Sequence, residues 1–224
     1  MKFLLIFLAL FLAACGQQST STVDYRAALN PETHTLSLSG MSVPEITSIA
    51  SSITERNDQL RVNHFIASNA GVTKVDPNAF LFLSNLSVLD LTNNTLQKIA
   101  LAPSGVLHLH LSHNNISQVD LSELEKGHNI WLDYNNISDL SQVHLPKDVL
   151  NLSLADNNVS DVSSLEKYAL LRVLDLSNNS LNAGDIEALK KIPRLAQVNL
   201  EGNNISKEEI QLLQDWLDKR SSQG

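Results

Sequence analysis

Apolar residues recur along this chain in a fixed frame. In each copy a second apolar residue follows the first after three positions and a third follows after two more, and then come an Asn and a last apolar residue. Six copies of the frame, LxxLxLxxNxL, lie between Leu86 and Ile205, with Ile or Val replacing some leucines and Gly127 opening one copy. Spacings of 20, 21, 22, 22 and 24 residues separate the frame asparagines Asn94, Asn114, Asn135, Asn157, Asn179 and Asn203. Self-similarity at such a period predicts a solenoid of stacked repeats.

The L-x-L centre of each copy alternates apolar and polar side chains, as a half-buried β-strand does. One such strand cannot bury its own apolar face, but stacked strands form a parallel sheet with right-handed crossovers. The Asn of each copy stands where the chain turns inward after the strand. Because its amide can donate to and accept from buried backbone groups, we interpret the frame Asn and Leu residues as structural.

The frame resembles that of the leucine-rich repeat family, and the resemblance covers nearly all of the chain beyond its N-terminal segment. Two degenerate copies extend it upstream to about eight repeats. One follows Asn69 with Val72, Val75, Phe80 and Leu83, and the other has Met in place of Asn in the set Leu36, Leu38, Met41 and Val43. The segments after Ile137 and Val159 are similar to the short arcs of bacterial internalin-type repeats. The resemblance implies an α/β solenoid, a curved right-handed superhelix with a parallel β-sheet on the concave face and short helices and turns on the convex side.

Capping-box patterns predict helix starts at three places: Ser42 with Glu45, Asn182 with Asp185, and Ser206 with Glu209. The last of these opens residues 206–224, which we interpret as a C-terminal capping helix and tail, because a solenoid needs a polar outer end. The apolar side chains expected to cover the final repeat, with Trp216 as a plug, are Ile210, Leu213, Trp216 and Leu217.

Residues 1–14 have the pattern of a secretory signal peptide: Lys2 precedes an apolar run over residues 3–12 that is short for a membrane span. The sequence Leu12-Ala13-Ala14-Cys15 resembles the bacterial lipobox, which implies cleavage before Cys15 and lipidation of its thiol. The alternative for this single cysteine is a buried spare thiol. Residues 15–28 are then the lipidated cysteine and a flexible tether, and residues 29–205 hold the repeats.

A lipobox implies attachment to the bacterial cell envelope, since two or more acyl chains hold a protein stably on a membrane. Gly16 stands where Asp often retains such lipoproteins in the inner membrane, so the resemblance favours the outer membrane. Gram-positive attachment stays open, and so does the choice between the periplasmic and the outer surface.

The acidic charge limits the classes of partner. The formal net charge is −8 and no stripe of Lys and Arg occurs, which argues against nucleic acid. No motif indicates a cofactor or a small-molecule substrate. The nearest enzyme-like set is His110 with Ser112 and Asp90, but His110 and Ser112 should stand parallel on one strand face, a poor geometry for proton abstraction. We therefore predict that the protein is not an enzyme.

Two neighbouring copies carry unusual side chains on the predicted concave face, where most positions are small or polar. These candidate partner-binding residues are His108, His110, His113, Asn129, Trp131, Asp133 and Tyr134. Because adjacent strands lie about 4.8 Å apart, His110 should lie between Asp90 and Trp131. In the same way, His113 should lie beside Tyr134.

Aromatic side chains at the centre of a patch are typical of protein-binding surfaces. We therefore predict a membrane-anchored module that binds a partner protein through its concave face. The alternative is that Trp131 and Tyr134 only cover the sheet, in an envelope spacer without a single partner; a host-directed adhesin and an inhibitor or immunity protein are less favoured. A metal site at the histidines would lack a cradle, so we predict none, and a pH-sensitive face is another use for them.

Overall fold

A computed structural model of the protein describes residue 25 and residues 27–47, 61–102 and 105–222. Nine short strands form the concave sheet: β1 (Leu29–Asn30), β2 (Thr35–Ser37), β4 (His64–Ile66), β6 (Val88–Asp90), β8 (His108–His110), β10 (Asn129–Trp131), β12 (Asn151–Ser153), β13 (Val173–Asp175) and β14 (Gln197–Asn199). Five strands lie on the opposite side: β3 (Glu45–Ile46), β5 (Lys74–Val75), β7 (Lys98–Ala100), β9 (Gln118–Asp120) and β11 (Val143–His144).

The concave sheet follows chain order, and every strand from β2 to β14 pairs in parallel with the next. β1 pairs antiparallel with β2 and closes the N-terminal edge. Each three-residue strand turns its middle side chain into one continuous apolar core and its two outer side chains to the concave surface. The α/β solenoid predicted from the frame is confirmed.

The frame asparagines form a ladder through the interior. Asn135 shows the pattern: its Oδ1 accepts from the Ile116 N–H at 2.9 Å, and its Nδ2 donates to the carbonyls of Leu111 at 3.1 Å and Leu132 at 2.9 Å. Asn94, Asn114, Asn157, Asn179 and Asn203 repeat it. Each amide thus bonds its own repeat to the one before it, which satisfies backbone groups that would be costly to bury unpaired.

The convex side changes along the solenoid. β7, β9 and β11 form a second parallel sheet, and β3 pairs with β5. A 3₁₀-helix at Leu140–Gln142 leads into β11. Further along, 3₁₀-helices at Ser163–Lys167 and Ala183–Asp185 take the place of these strands, and a short helix α1 spans Ile186–Lys190. Short convex connections of this kind let the concave strands stack closely.

The C-terminal end is covered by helix α2 (Lys207–Ser221), whose capping box joins Ser206 and Glu209. Leu213 and Leu217 fill the core beneath it. Trp216 was expected to plug the end, but it lies at the margin with 36% of its surface exposed, where the Arg220 guanidinium stacks 4.6 Å from its ring centroid. The predicted plug is therefore wrong for Trp216, because the helix turns its Leu213 and Leu217 stripe inward instead.

Of the other two predicted capping boxes, one is formed and one is not. The box at Asn182 and Asp185 is formed. The pattern at Ser42 and Glu45 starts no helix: Glu45 opens strand β3, which pairs with β5.

The described residues include no helix that is long and apolar enough to cross a membrane. The predicted signal peptide and Cys15 lie outside the described residues.

Candidate protein-binding surface

Every repeat bends at the residue before its Asn position, where the backbone adopts positive φ. The eight residues are Gly40, Asn69, Asn93, His113, Tyr134, Asp156, Asn178 and Gly202. Six of them are Gly, Asn or Asp, which tolerate the left-handed region. His113 and Tyr134 depart from this pattern, at φ of 57° and 53°. The bulky Tyr134 therefore carries backbone strain that Gly or Asn would avoid at this bend.

Trp131 is the centre of an aromatic stack on the concave face. The register pairs it with His110 of β8 and Ser153 of β12. The His110 imidazole lies 4.2 Å from the Trp131 ring, centroid to centroid, with only 4° between their planes. His108 lies further off, at 6.4 Å and 26°. One face of the indole is thus covered by His110, and the other looks toward the small side chain of Ser153.

Tyr134 repeats this arrangement three residues further along the chain, at the bend that follows β10. Its ring stacks on His113, with 4.3 Å between centroids and 8° between planes. Half of its surface (51%) is exposed, so no convex segment among the described residues folds over it. The negative charge of Asp156 on the next repeat raises the pKa of the Tyr134 phenol. The predicted neighbours His110–Trp131 and His113–Tyr134 are both confirmed.

Asp133 holds the strand ends beneath the two stacks together. Its Oδ2 accepts from the Ser112 hydroxyl at 3.2 Å, and its Oδ1 accepts from the Ser153 hydroxyl and from the Ala155 N–H at 3.0 Å. At the other end of β10, the Asn129 side chain is hydrogen-bonded to His108 Nδ1 at 2.9 Å and accepts from the Asn151 amide. These bonds fix the strands from which Trp131 and Tyr134 project.

The enzyme-like set does not assemble. The Ser112 hydroxyl donates to Asp133 rather than to His110, and an Asp90 carboxylate oxygen accepts from the Thr92 N–H at 2.9 Å. In the part of the chain that the structure describes, no three His, Cys, Asp or Glu side chains converge to hold a metal ion.

The described concave face carries acidic side chains but no Lys or Arg. No Lys or Arg stands at any outward position of the described concave strands from β2 to β14, nor at the three residues that follow each of these strands, the last of which is the bend. Carboxylates occupy five of these positions: Asp90, Asp133, Asp156, Asp175 and Glu201. Sequence reasoning did not connect Asp175 and Ser153 with the aromatic cluster. The frame could have made that connection, since both align with Trp131 in register.

Comparisons with known proteins agree with this architecture. A model of the leucine-rich repeat family matches residues 170–192. The fold is that of a leucine-rich repeat protein. The search of curated proteins gave no match.

Three solved leucine-rich repeat structures are similar in fold. The leucine-rich repeat domain of APL1B aligns over 70% of this chain and 45% of its own, at 24% identity and a TM-score of 0.56. Human 5T4 (Wnt-activated inhibitory factor 1, trophoblast glycoprotein) aligns over 78% and 72%, at 18% identity and 0.57. TLR13, in complex with ssRNA13, aligns over 79% and 32%, at 22% identity and 0.56. The chain thus spans less than half of the APL1B and TLR13 chains, and identities this low show the fold alone.

Replacing Tyr134 with Asn separates binding from structural cover in this leucine-rich repeat. Asn tolerates positive φ, so Tyr134→Asn should raise the free energy of unfolding by about 0.5–1 kcal/mol, as relief of backbone strain does. Urea denaturation measures the change. Asn69→Gly is the matched control at a bend away from Tyr134, since both residues tolerate positive φ, and it should change stability by less than about 0.5 kcal/mol. Destabilisation of Tyr134→Asn by more than about 1 kcal/mol would instead show that the tyrosine is structural cover.

Protonation of His110 should destabilise the repeat array. Burial lowers the pKa of His110; Asp90 opposes the effect and His108 adds to it. A lowered pKa means that the unfolded chain binds the proton more readily, so this stability is present above about pH 6.5 and is lost as the pH falls below it. Thermal unfolding between pH 8 and pH 5 should show a smaller loss for His110→Gln than for the natural protein. The convex His144→Gln serves as control, and equal pH profiles for all three proteins would refute the prediction.

Proposed function

We propose that the protein is a membrane-anchored module of the bacterial cell envelope that binds a partner protein through its concave face. The observation that carries the proposal is Tyr134, an exposed aromatic residue with positive φ that lies beside the stack of His110 and Trp131. Strain held at an exposed aromatic side chain is unfavourable for folding, and such outliers cluster at functional sites. Large aromatic side chains are also enriched among the residues that dominate protein interfaces.

A protein suits this face better than nucleic acid does. The TLR13 structure is a complex with RNA, but the likeness extends to the fold alone. Here the concave positions of the described repeats carry five carboxylates and no Lys or Arg, and phosphate groups would be repelled. The aromatic stacks stand on the outward face of a sheet, and Tyr134 is 51% exposed, which favours a protein over a small-molecule substrate.

Membrane attachment is the second part of the proposal and depends on Cys15. The lipobox-like segment 12–15 supports cleavage and lipidation at this cysteine, and the acidic repeat domain would stand off from an anionic membrane surface. We expect Cys15→Ser to shift the protein from the membrane fraction to the soluble fraction and to abolish labelling with radioactive palmitate. Membrane retention of unlabelled Cys15→Ser would exclude lipidation as the anchor.

Capture of a partner tests the concave face. The full chain, extracted from membranes in detergent, is used as bait against envelope extracts and host-cell surface proteins. A partner should be held by the natural chain and lost by Trp131→Ala combined with Tyr134→Ala. Phe82→Ala is the matched control, because Phe82 is an exposed aromatic residue (56%) in the turn before β6, away from the concave face.

The outcomes distinguish the two interpretations of the aromatic cluster. Loss of one partner from the double variant but not from Phe82→Ala supports a concave-face binder, and the source of the partner separates an envelope role from a host-directed one. Identical capture by all three folded baits, or no capture by any, supports the envelope spacer. Circular dichroism establishes that each variant is folded.

A further inference from the structure

We propose that the uncovered face of Trp131 is a slot for an arginine side chain of the partner, bounded by Trp131, Ser153 and Asp175. This inference rests on the proposed protein-binding function and names the chemistry that the concave face recognises. In the bound state the partner's guanidinium extends the stack that His110 and Trp131 begin, and it faces the Asp175 carboxylate across Ser153.

The register creates the slot. Trp131, Ser153 and Asp175 occupy the same position on the consecutive strands β10, β12 and β13. Two strand spacings of about 4.8 Å separate Trp131 from Asp175, which leaves roughly 10 Å between their backbones. Ser153 is the only side chain at this position between them, and its single hydroxyl is engaged with Asp133. A planar group can therefore stack on the indole, above Ser153, and still reach the carboxylate.

The two walls of the slot are fixed before any partner arrives. His110 stacks on the far face of Trp131, with 4.2 Å between ring centroids and 4° between planes, and so fixes the orientation of the indole. On the opposite side, Asp175 Oδ1 accepts from the Ser177 N–H at 2.9 Å and from its hydroxyl at 2.7 Å, while Oδ2 accepts from Asn199 at 3.2 Å. Preorganised walls reduce the entropy cost of binding.

The chemistry of the slot favours Arg over Lys. A guanidinium is planar and weakly hydrated, stacks on aromatic faces and can direct several N–H donors at a carboxylate, whereas an ammonium is a strongly hydrated point charge. The other tryptophan of the chain has both cations over its ring, with Arg220 closer to the ring centroid (4.6 Å) than Lys190 (5.9 Å). The Arg220 guanidinium stacks on Trp216 and donates to the backbone carbonyls of Lys190, Ile192 and Leu195.

No cation of the described chain competes for Trp131. Within the described residues, the cations that lie over a tryptophan ring are Lys190 and Arg220, and both lie over Trp216. The concave positions around Trp131 carry Asp90, Asp133, Asp156 and Asp175 without any Lys or Arg. Charge complementarity therefore points to a cation supplied by the partner.

The test uses the full chain in detergent and three short peptides that differ at one residue: acetyl-Gly-Arg-Gly-amide and its lysine and citrulline analogues. NMR follows the indole Nε1–H of Trp131, which Trp216→Phe assigns because the chain has two tryptophans. We expect saturable shifts with the arginine peptide and roughly tenfold weaker binding of the other two, the ratio that one cation–π contact with a salt bridge can supply.

Matched variants locate the interaction. Ser153→Leu fills the slot and should abolish binding of the arginine peptide. Asp175→Asn should weaken it at least threefold, while Asp90→Asn, which removes the corresponding carboxylate on the covered side of the stack, should weaken it less than twofold. Equal binding of the arginine and citrulline peptides, unchanged binding by Ser153→Leu, or equal effects of the two Asp variants would overturn the proposal.

A captured partner separates failure of the slot from failure of the proposed function. If the partner is lost by Trp131→Ala but retained by Ser153→Leu, the concave binder stands and the arginine slot is wrong. If Trp131→Ala combined with Tyr134→Ala retains the partner as well, both are wrong. Circular dichroism again confirms that each variant is folded.

Discussion

Replacement of Asn135 with Ala should lower the free energy of unfolding by about 3 kcal/mol. The Ile116 N–H loses the side-chain acceptor that lies 2.9 Å away, and an unpaired buried donor costs about 1–3 kcal/mol. The carbonyls of Leu111 and Leu132 each lose one of two amide donors, since Asn114 and Asn157 still bond them. The small cavity left by the amide adds to the loss.

The neighbouring residue provides the control. Asn136 is exposed, and the Ile116 carbonyl accepts from its backbone N–H at 2.9 Å, a bond that Asn136→Ala preserves. This variant should therefore change stability by less than about 0.5 kcal/mol. Urea denaturation of both variants measures the difference. Similar losses for Asn135→Ala and Asn136→Ala would contradict the ladder as the source of interior stability.

Replacement of Leu132 with Ala should have a comparable effect by a different route. Leu132 is fully buried in the middle of the array, and removal of a buried Leu side chain costs about 2–5 kcal/mol. Because each repeat contacts only its neighbours, weakening a central repeat reduces the coupling between the two halves. We expect the urea transition to broaden or to divide into two steps.

The control for this change is Leu212→Ala on α2, where the leucine is 68% exposed. It should shift stability by less than about 0.5 kcal/mol and leave the transition sharp. Far-ultraviolet circular dichroism reports the whole array, and tryptophan fluorescence, recorded on the same samples in a Trp216→Phe background, reports the repeat of Trp131. A single coincident transition for Leu132→Ala would contradict the weak coupling of the two halves.

The sequence was sufficient to predict the concave strands and the neighbours of Trp131 and Tyr134. A repeat of nearly constant length sets the register between copies, so positions aligned in the frame become neighbours in space. The register between β8 and β10 accordingly places His110 against Trp131. These parts depend on the period alone.

Other features depend on tertiary context that the frame does not encode. Glu45 lies in a strand because β5 pairs beside it, although Ser42 and Glu45 have the spacing of a capping box. The side chain of Ser112 was free in principle to bond His110, yet Asp133 of the next repeat accepts its hydroxyl. Lateral hydrogen bonds of this kind follow from side-chain rotamers, which a repeat pattern leaves undetermined.

Trp216 shows a further limit of the periodic pattern. The helical stripe of α2 contains four apolar residues, but only Leu213 and Leu217 reach the interior fully. The angle at which the helix meets the last repeat decides which of them are covered. Arg220 lies four residues after Trp216 on α2 itself, whereas the contact of Trp216 with Lys190 becomes possible only because α1 lies next to α2.

The Asn ladder has a direction, and this bears on synthesis from the ribosome. Each amide accepts from an N–H of the repeat before it, as Asn157 does from Ile137 at 3.0 Å. The newest repeat on a growing chain therefore lacks its acceptor until about 20 further residues, one repeat period, have emerged. We expect force-sensitive arrest peptides to report folding one repeat later than strand content alone would indicate, with Asn157→Ala delaying it further. The hydrogen bonds between repeats would thus form in order from the first repeat to the last, always one repeat behind the emerging chain.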